Sequence, residues 1–238
     1  MRIIGGNLKR RKLESPPEGS TTRPMPDMVR EAIFNLLRGH VEDQAVLDCF
    51  CGSGTMGLEA VSRGADRVVL VERDRRVVRA LERNIEHLDV ADRCDVVSGD
   101  ALGMAAWSAC PKPVHLIFFD PPYAMVRDPE EWERVKTAFA RLVGLLDPEG
   151  YAVLRTPWPF VHGGDLVRVN EEGDDAEDAS AVEGQNAGEE VARAQGIKTP
   201  AVDVDLAMPG ALGPETHPYG TTAVHLYMRD PEAREKIS

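Results

Sequence analysis

The chain has no run of about eighteen apolar residues, so nothing in it reads as a membrane-spanning helix. Basic charge is short as well: 28 Lys and Arg face 40 Asp and Glu, a net charge of −12, which speaks against a protein that coats nucleic acid over its whole surface. Cysteine is scarce, with four residues scattered at 49, 51, 94 and 110. Cys49-x-Cys51 is the only close pair. It lies within a glycine-rich loop without a second pair or a nearby histidine, which argues against a disulfide framework or a metal site and for free thiols in a reducing compartment. The six histidines are dispersed, and none has a partner that suggests catalysis. Met1 to Leu13 is basic but lacks an apolar stretch after it, so no secretory signal is read there and a cytoplasmic location is expected.

The charge is uneven. Residues 1–40 hold eight Lys and Arg against four Asp and Glu, whereas residues 170–200 hold nine acids against two bases. A local basic patch engages phosphates whatever the overall charge. The first segment, Arg2-Ile3-Ile4-Gly5-Gly6-Asn7-Leu8 followed by Lys9-Arg10-Arg11-Lys12-Leu13, predicts a short hairpin with a glycine turn and a basic second arm, the alternative being a frayed tail. Pro16, Pro17, Gly19, Pro24 and Pro26 keep the next stretch extended. Asp27 to Arg38 reads as an amphipathic helix, with Val29, Ile33, Leu36 and Leu37 on one face and Gly39 as its stop. Residues 1–40 thus form a basic extension, and 41–238 the main domain.

From residue 45 strands and helices alternate. Strands are expected at Ala45–Phe50, Arg67–Glu72, Cys94–Ser98, Val114–Phe119 and Tyr151–Arg155, and helices at Thr55–Arg63, Arg75–Leu88 and Pro129–Leu146. Continuous apolar strands of this kind belong to an α/β fold with a doubly wound, mostly parallel sheet. The stretch from Asn170 to Pro200 has almost no large apolar residues and predicts a disordered acidic insertion. The chain then closes on a strand, Thr222–Met228, expected to pair as an antiparallel hairpin with either Leu166–Val169 or Val202–Leu206.

The chemistry concentrates at the carboxyl ends of these strands. Gly52-x-Gly54-x-x-Gly57 after the first strand, with Glu72 ending the second, meets the dinucleotide fingerprint, a weak signal shared by many nucleotide-like ligands. Asp120-Pro121-Pro122-Tyr123 after the fourth strand discriminates among them. Together with Asp48-x-Phe50-x-Gly52-x-Gly54, Glu72 and Asp100, it resembles the class I S-adenosylmethionine-dependent methyltransferases, and the four-residue run is similar to the Asp/Asn-Pro-Pro-Tyr signature of enzymes that methylate an exocyclic amino group. Arg2-Ile3-Ile4-Gly5-Gly6, the basic arm, Arg23-Pro24, Val29-Arg30-Glu31-Ala32-Ile33-Phe34-Asn35, the glycine loop and Tyr219-Gly220-Thr221 further resemble the bacterial family that methylates N2 of a guanine in 16S ribosomal RNA. Where that family has two threonines after Arg-Pro, this chain has Met25-Pro26.

The resemblance implies a seven-stranded Rossmann-like sheet with an antiparallel terminal strand, S-adenosylmethionine as cofactor, and a cytoplasmic monomer acting on 16S ribosomal RNA or the small ribosomal subunit. It assigns Asp48, Phe50, Gly52, Ser53 and Gly54 to the amino-acid part of the cofactor, Glu72 to the ribose hydroxyls and Asp100 with Ala101 to the adenine edge, with Arg73 and Asp120 also among the cofactor contacts. Asp120 and the Pro121 carbonyl would accept hydrogen bonds from the target amine on a loop stiffened by Pro122, with Tyr123 stacking on the base. Lys9, Arg10, Arg11, Lys12, Arg23 and Arg30 would grip RNA phosphates. Blander alternatives stand beside these assignments: Glu72 as a solvated strand end, Asp100 as a cap, Tyr123 as a core aromatic, and the basic residues as a solvated face. Trp132, on a helix, is expected in the core. Three other functions compete: an adenine-N6 DNA methyltransferase, a nicotinamide-dependent oxidoreductase, which leaves the Asp120–Tyr123 run without a purpose, and a non-catalytic ribosome assembly factor.

Overall fold

Val46, Leu47, Val68–Val71 and Leu116–Phe119 alternate between two apolar layers, because successive side chains of a strand point to opposite faces and both faces are covered by helices. The structure, a computed structural model, describes residues 1–17, 19, 25–162 and 202–234. Its elements are α1 (Asp27–Leu36), β1 (Ala45–Cys49), α2 (Thr55–Ser62), β2 (Arg67–Glu72), α3 (Arg75–Leu88), β3 (Cys94–Ser98), α4 (Met104–Ala109), β4 (Val114–Phe119), α5 (Tyr123–Arg127), α6 (Pro129–Val143), β5 (Leu146–Pro157), β6 (Val161–His162), β7 (Val202–Asp203), β8 (Ala211–Tyr219) and β9 (Thr222–Arg229). A seven-stranded sheet runs in the order β3-β2-β1-β4-β5-β9-β8. β1 to β5 are parallel, β9 is antiparallel to β5, and β8 forms the edge, antiparallel to β9. Residues of α1, α2 and α3 pack in the core on one face, and those of α4, α5 and α6 in the core on the other. Chain order reverses between β1 and β4, so a crevice opens at their carboxyl ends, the place where such sheets bind ligands.

α3 and α6 show why helices form where they do. Asp74 caps α3 by accepting from the Arg76 amide at 2.8 Å, and its carboxyl is held down at about 2, chiefly by the Arg76 guanidinium and amide. Asp128 caps α6 by accepting from the Glu130 and Glu131 amides at 3.0 and 2.9 Å, ahead of Pro129 at the first helical position. Trp132 is buried there, in the core as expected.

Boundaries moved in several places. α6 ends at Val143 rather than Leu146, and β5 starts at Leu146, so that Asp147-Pro148-Glu149-Gly150 lies within an irregular strand. Among the described residues the hairpin partner of β9 is not the expected Val202–Leu206. Val202–Asp203 pairs only with β6, Leu166–Val169 lies outside the described residues, and the true partner is Ala211–Tyr219. That strand carries Pro214 and Pro218, which donate no ladder hydrogen bond and are tolerated at a sheet edge. The expectation for residues 170–200 also falls outside the described residues.

The amino-terminal segment is a hairpin, not a frayed tail. Ile3 N–H donates to Arg11 O at 2.9 Å and Leu13 N–H to Met1 O at 3.0 Å, with an antiparallel bridge between Arg2 and Lys12. Ile3 and Leu13 are buried in the same core as α1 and α2. Polar rivets add to this. Ile4 N–H donates to Glu59 Oε2 at 2.8 Å, Leu8 N–H to Ser62 Oγ at 2.9 Å and Asn7 N–H to Ser62 O at 2.7 Å. At the exit of the arm, Glu14 N–H donates to Asn84 Oδ1 at 2.7 Å, while Asn84 Nδ2 donates to Ser53 O at 3.0 Å. The buried Asn84 amide therefore bridges the arm and the glycine loop.

Candidate active site

β1 ends in a backbone that turns sharply: Phe50, Gly52 and Gly54 have φ of +60°, +56° and +89°. A phenylalanine in the left-handed region costs energy, and such strain persists where the surroundings enforce it, commonly at functional sites. Here Phe50 packs edge-on against Phe119 with ring centroids 5.2 Å apart. Gly57, one turn into α2, sits so close to the sheet that a Cβ would come within 2.6 Å of Leu70 Cδ2 and 3.1 Å of Asp48 Oδ2. That approach lets the Gly57 N–H donate to Asp48 Oδ2 at 2.7 Å.

Carboxylates gather at this end of the sheet. Asp48 is 2% exposed, and burial pushes its carboxyl up to about 8; the Gly57 hydrogen bond opposes that shift, whereas the charges of Asp120 and Glu72 add to it. Glu72, also buried, accepts from Gly52 N–H through Oε2 at 3.1 Å and from Asp74 N–H through Oε1 at 2.8 Å, fixing the tip of β2 to the glycine loop. It is therefore not a solvated strand end. Asp120 follows β4 and is partly exposed. The turn through Gly52 and Gly54 thus brings main-chain N–H groups and these carboxyl groups together at one end of the sheet.

The other expected residues divide. Ser53 is buried, its hydroxyl 4.0 Å from Met1 Sδ. Arg73 is exposed. Asp100 is exposed and accepts from Leu102 N–H at 3.0 Å, so it caps the turn after β3, while Ala101 is buried beside it. Pro121 is buried, Pro122 precedes α5, and Tyr123 opens that helix. The Tyr123 hydroxyl donates to Thr222 Oγ1 at 2.7 Å, so its phenol is anchored to β9, and burial raises its pKa above the usual tyrosine value. Cys49, Cys51 and Cys110 are buried, and burial pushes all of these thiols up.

In the basic segment Lys9, Arg10, Arg11 and Lys12 are exposed, and Arg11 donates to His87 O. Arg23 lies outside the described residues. Arg30 is 1% exposed and donates to Asp27 Oδ1 at 2.7 Å and Arg2 O at 2.9 Å, with Glu59 Oε2 3.9 Å away. This corrects the reading of Arg30 as a phosphate ligand: its guanidinium is an internal tie between α1, α2 and the arm. Its charge is met by Asp27, three residues earlier on α1, and by Glu59 of α2; helical spacing could show the first partner but not the second.

One prominent residue was missed. Arg155 of β5 places Nε 2.7 Å from Asp120 Oδ1 and Nη2 3.0 Å from Oδ2, a two-pronged pair, and its Nη1 lies 3.3 Å from the Tyr123 hydroxyl. An arginine at the end of the expected strand Tyr151–Arg155 was the available signal.

The family model described as "Conserved hypothetical protein 95" matches residues 1–157. "Ribosomal RNA small subunit methyltransferase D" of Escherichia coli K12 is 42% identical over 123 residues, covering 52% of this chain and 60% of that protein. "Putative rRNA methyltransferase YlbH" of Bacillus subtilis 168 is 36% identical over 125 residues, covering 52% of this chain and 67% of that protein. The solved structure "Putative methyltransferase yhhF from Escherichia coli" superimposes with a TM-score of 0.65 at 28% identity, covering 97% of this chain and 98% of that one. The seven-stranded order with its single reversed strand is the Rossmann-like class I methyltransferase architecture. By the extent of the matching model, the glycine loop and the Asp120–Tyr123 strand end included, the chain belongs to the conserved hypothetical protein 95 family.

Proposed function

We propose that the chain transfers a methyl group from S-adenosylmethionine to the exocyclic N2 amino group of a guanine in 16S ribosomal RNA. The observation that carries this reading is the placement of Asp120, at the carboxyl end of β4, next to the carboxylate-rich crevice beyond β1. The names of the E. coli and B. subtilis relatives support ribosomal RNA as the substrate class. The cofactor brings an electrophilic methyl on a sulfonium. Asp48 and the glycine loop are suited to its ammonium-bearing end, Glu72 to its ribose hydroxyls, and Ala101 with the turn capped by Asp100 to its adenine.

A guanine N2 lone pair is delocalised into the ring and nucleophiles of this kind react slowly. Acceptors that hold both amino hydrogens favour the pyramidal form in which the lone pair is available. Asp120 Oδ and the Pro121 carbonyl supply two acceptors on a loop stiffened by consecutive prolines, so little reorganisation is needed as the bond forms. Tyr123 offers a ring for stacking once its base is splayed out of the RNA. The exposed Lys9–Lys12 arm then holds the flanking phosphates of a monomeric enzyme.

The test is methyl transfer from labelled S-adenosylmethionine to small ribosomal subunits, with mass mapping of the product nucleotide. Asp120→Ala is expected to lower transfer at least about 100-fold with cofactor binding retained. Normal transfer by that variant discards the mechanism, and methylation of adenine in DNA instead of guanine in RNA replaces the substrate.

A further inference from the structure

The parallel register of β4 and β5 pairs Phe119 with Leu154. One residue further along, Asp120 and Arg155 stand side by side at the mouth of the crevice, and their side chains meet. The guanidinium uses Nε and Nη2 on the two carboxylate oxygens, at 2.7 and 3.0 Å, which fixes the plane of the carboxylate as well as its position. The same guanidinium reaches the other end of the four-residue motif. Its Nη1 is 3.3 Å from the Tyr123 hydroxyl, and its central carbon lies 5.1 Å from the Tyr123 ring centroid. Both partners of the pair are largely withdrawn from water, with side-chain exposures of 13% for Arg155 and 21% for Asp120. On the far side, Thr222 Oγ1 accepts a hydrogen bond from the Tyr123 hydroxyl at 2.7 Å and donates to Thr156 O at 3.0 Å, so the clamp is fastened to both β5 and β9.

We infer that Arg155 is a positioning residue for the transfer: one guanidinium aligns the acceptor carboxylate of Asp120 with the stacking ring of Tyr123. The inference rests on the function proposed above. A carboxylate oxygen has two lone pairs, so a pair with Arg155 in the carboxylate plane leaves Asp120 able to accept from an amino group as well. A lysine keeps the charge but offers a single point contact, which cannot set the carboxylate plane and reach Tyr123 together. A local structural salt bridge would not require the third prong to the phenol.

The experiment measures single-turnover transfer to small ribosomal subunits, cofactor affinity by calorimetry and thermal melting, for wild type, Arg155→Lys, Arg155→Ala, Asp120→Ala and the double variant Asp120→Ala/Arg155→Ala. Arg155→Ala should lower the transfer rate about 100-fold, with cofactor affinity within about threefold of wild type. Arg155→Lys should fall between the two. Millimolar guanidinium should restore part of the Arg155→Ala rate and none of the double variant's, and the two single losses should not add. An Arg155→Ala protein that transfers at the wild-type rate overturns the inference. So does one whose rate, cofactor affinity and melting temperature fall together without guanidinium rescue, since that is a structural role. If Arg155→Ala fails to fold, Arg155→Lys decides: a wild-type rate with lysine overturns the need for a fork. Wild-type protein that methylates no RNA fails the proposed function itself, a result separable from an active wild type with an indifferent Arg155.

Discussion

At the scale of single residues, Asp48 has the most informative surroundings. Its folded carboxyl sits at about 8 against an ordinary 3.8, chiefly through burial, so between those values the folded chain holds a proton that the unfolded chain releases. The stability this proton confers is complete below the unfolded value and is lost as pH rises through about 8, with a slope of up to about 1.4 kcal/mol per pH unit. Asp48→Asn keeps an acceptor for the Gly57 amide and has nothing to titrate. Without cofactor, its melting temperature should therefore vary less than that of the parent between pH 5 and 8, and above pH 8 it should melt higher. Parallel melting curves across that range would contradict the assignment. Asp48 and Asp120 stood out in the sequence as candidate site residues because each lies near or just past the carboxyl end of an apolar strand, ahead of a glycine or proline run. Arg155 was not singled out: it lies near the end of an apolar strand, but its meeting with Asp120 depends on a lateral register between β4 and β5 that no local spacing encodes. Arg30 failed in the opposite sense, a basic residue in a basic segment whose charge is spent inside the protein on Asp27 and Glu59.

Elements were legible where one face or both faces of an α/β layer dictate the pattern. β1, β2, β3 and β4 fall at or within a residue of their expected bounds, as do α2 and α3, because burial on both sides leaves continuous apolar strands and period-3.6 helices. β8 was illegible for the complementary reason: as an edge strand it needs few apolar residues and tolerates prolines, so it resembles a loop. Short α4 and α5 were also missed, being single turns or little more whose caps do not stand out. The contact between α2 and the sheet yields a further prediction. Gly57→Ala would set a methyl 2.6 Å from Leu70 Cδ2 and 3.0 Å from Val68 Cγ1. Overpacking of about 1–3 kcal/mol outweighs the roughly 0.5–1 kcal/mol of helix propensity gained. The denaturation midpoint should drop accordingly and cofactor affinity should weaken, since α2 is levered off the Asp48 carboxylate; an unchanged midpoint would show that the sheet yields at no cost.

For the whole molecule, the decisive quantity is the distribution of charge rather than its sum. A chain of net charge −12 presents Lys9, Arg10, Arg11 and Lys12 together on a hairpin that is fastened to α2 and α3 by main-chain and side-chain hydrogen bonds. A fastened cationic edge does not have to be ordered when it meets phosphates. Replacing the four residues by alanine should make the logarithmic salt dependence of RNA binding shallower, by up to about 3 if each engages one single-strand phosphate. An unaltered slope, measured by titration at several salt concentrations, would remove the arm from the RNA interface. No helix among the described residues is long and apolar enough to cross a membrane.

The Asn84 side chain holds Glu14 at the end of that arm and the Ser53 carbonyl in the glycine loop at once. If the arm holds nucleic acid and the loop the cofactor, as proposed, one amide joins the two sites and neither ligand binds in ignorance of the other. Any distortion of the bridge by nucleic acid must change the grip on the small molecule by some factor, and the small molecule then changes the grip on nucleic acid by that same factor.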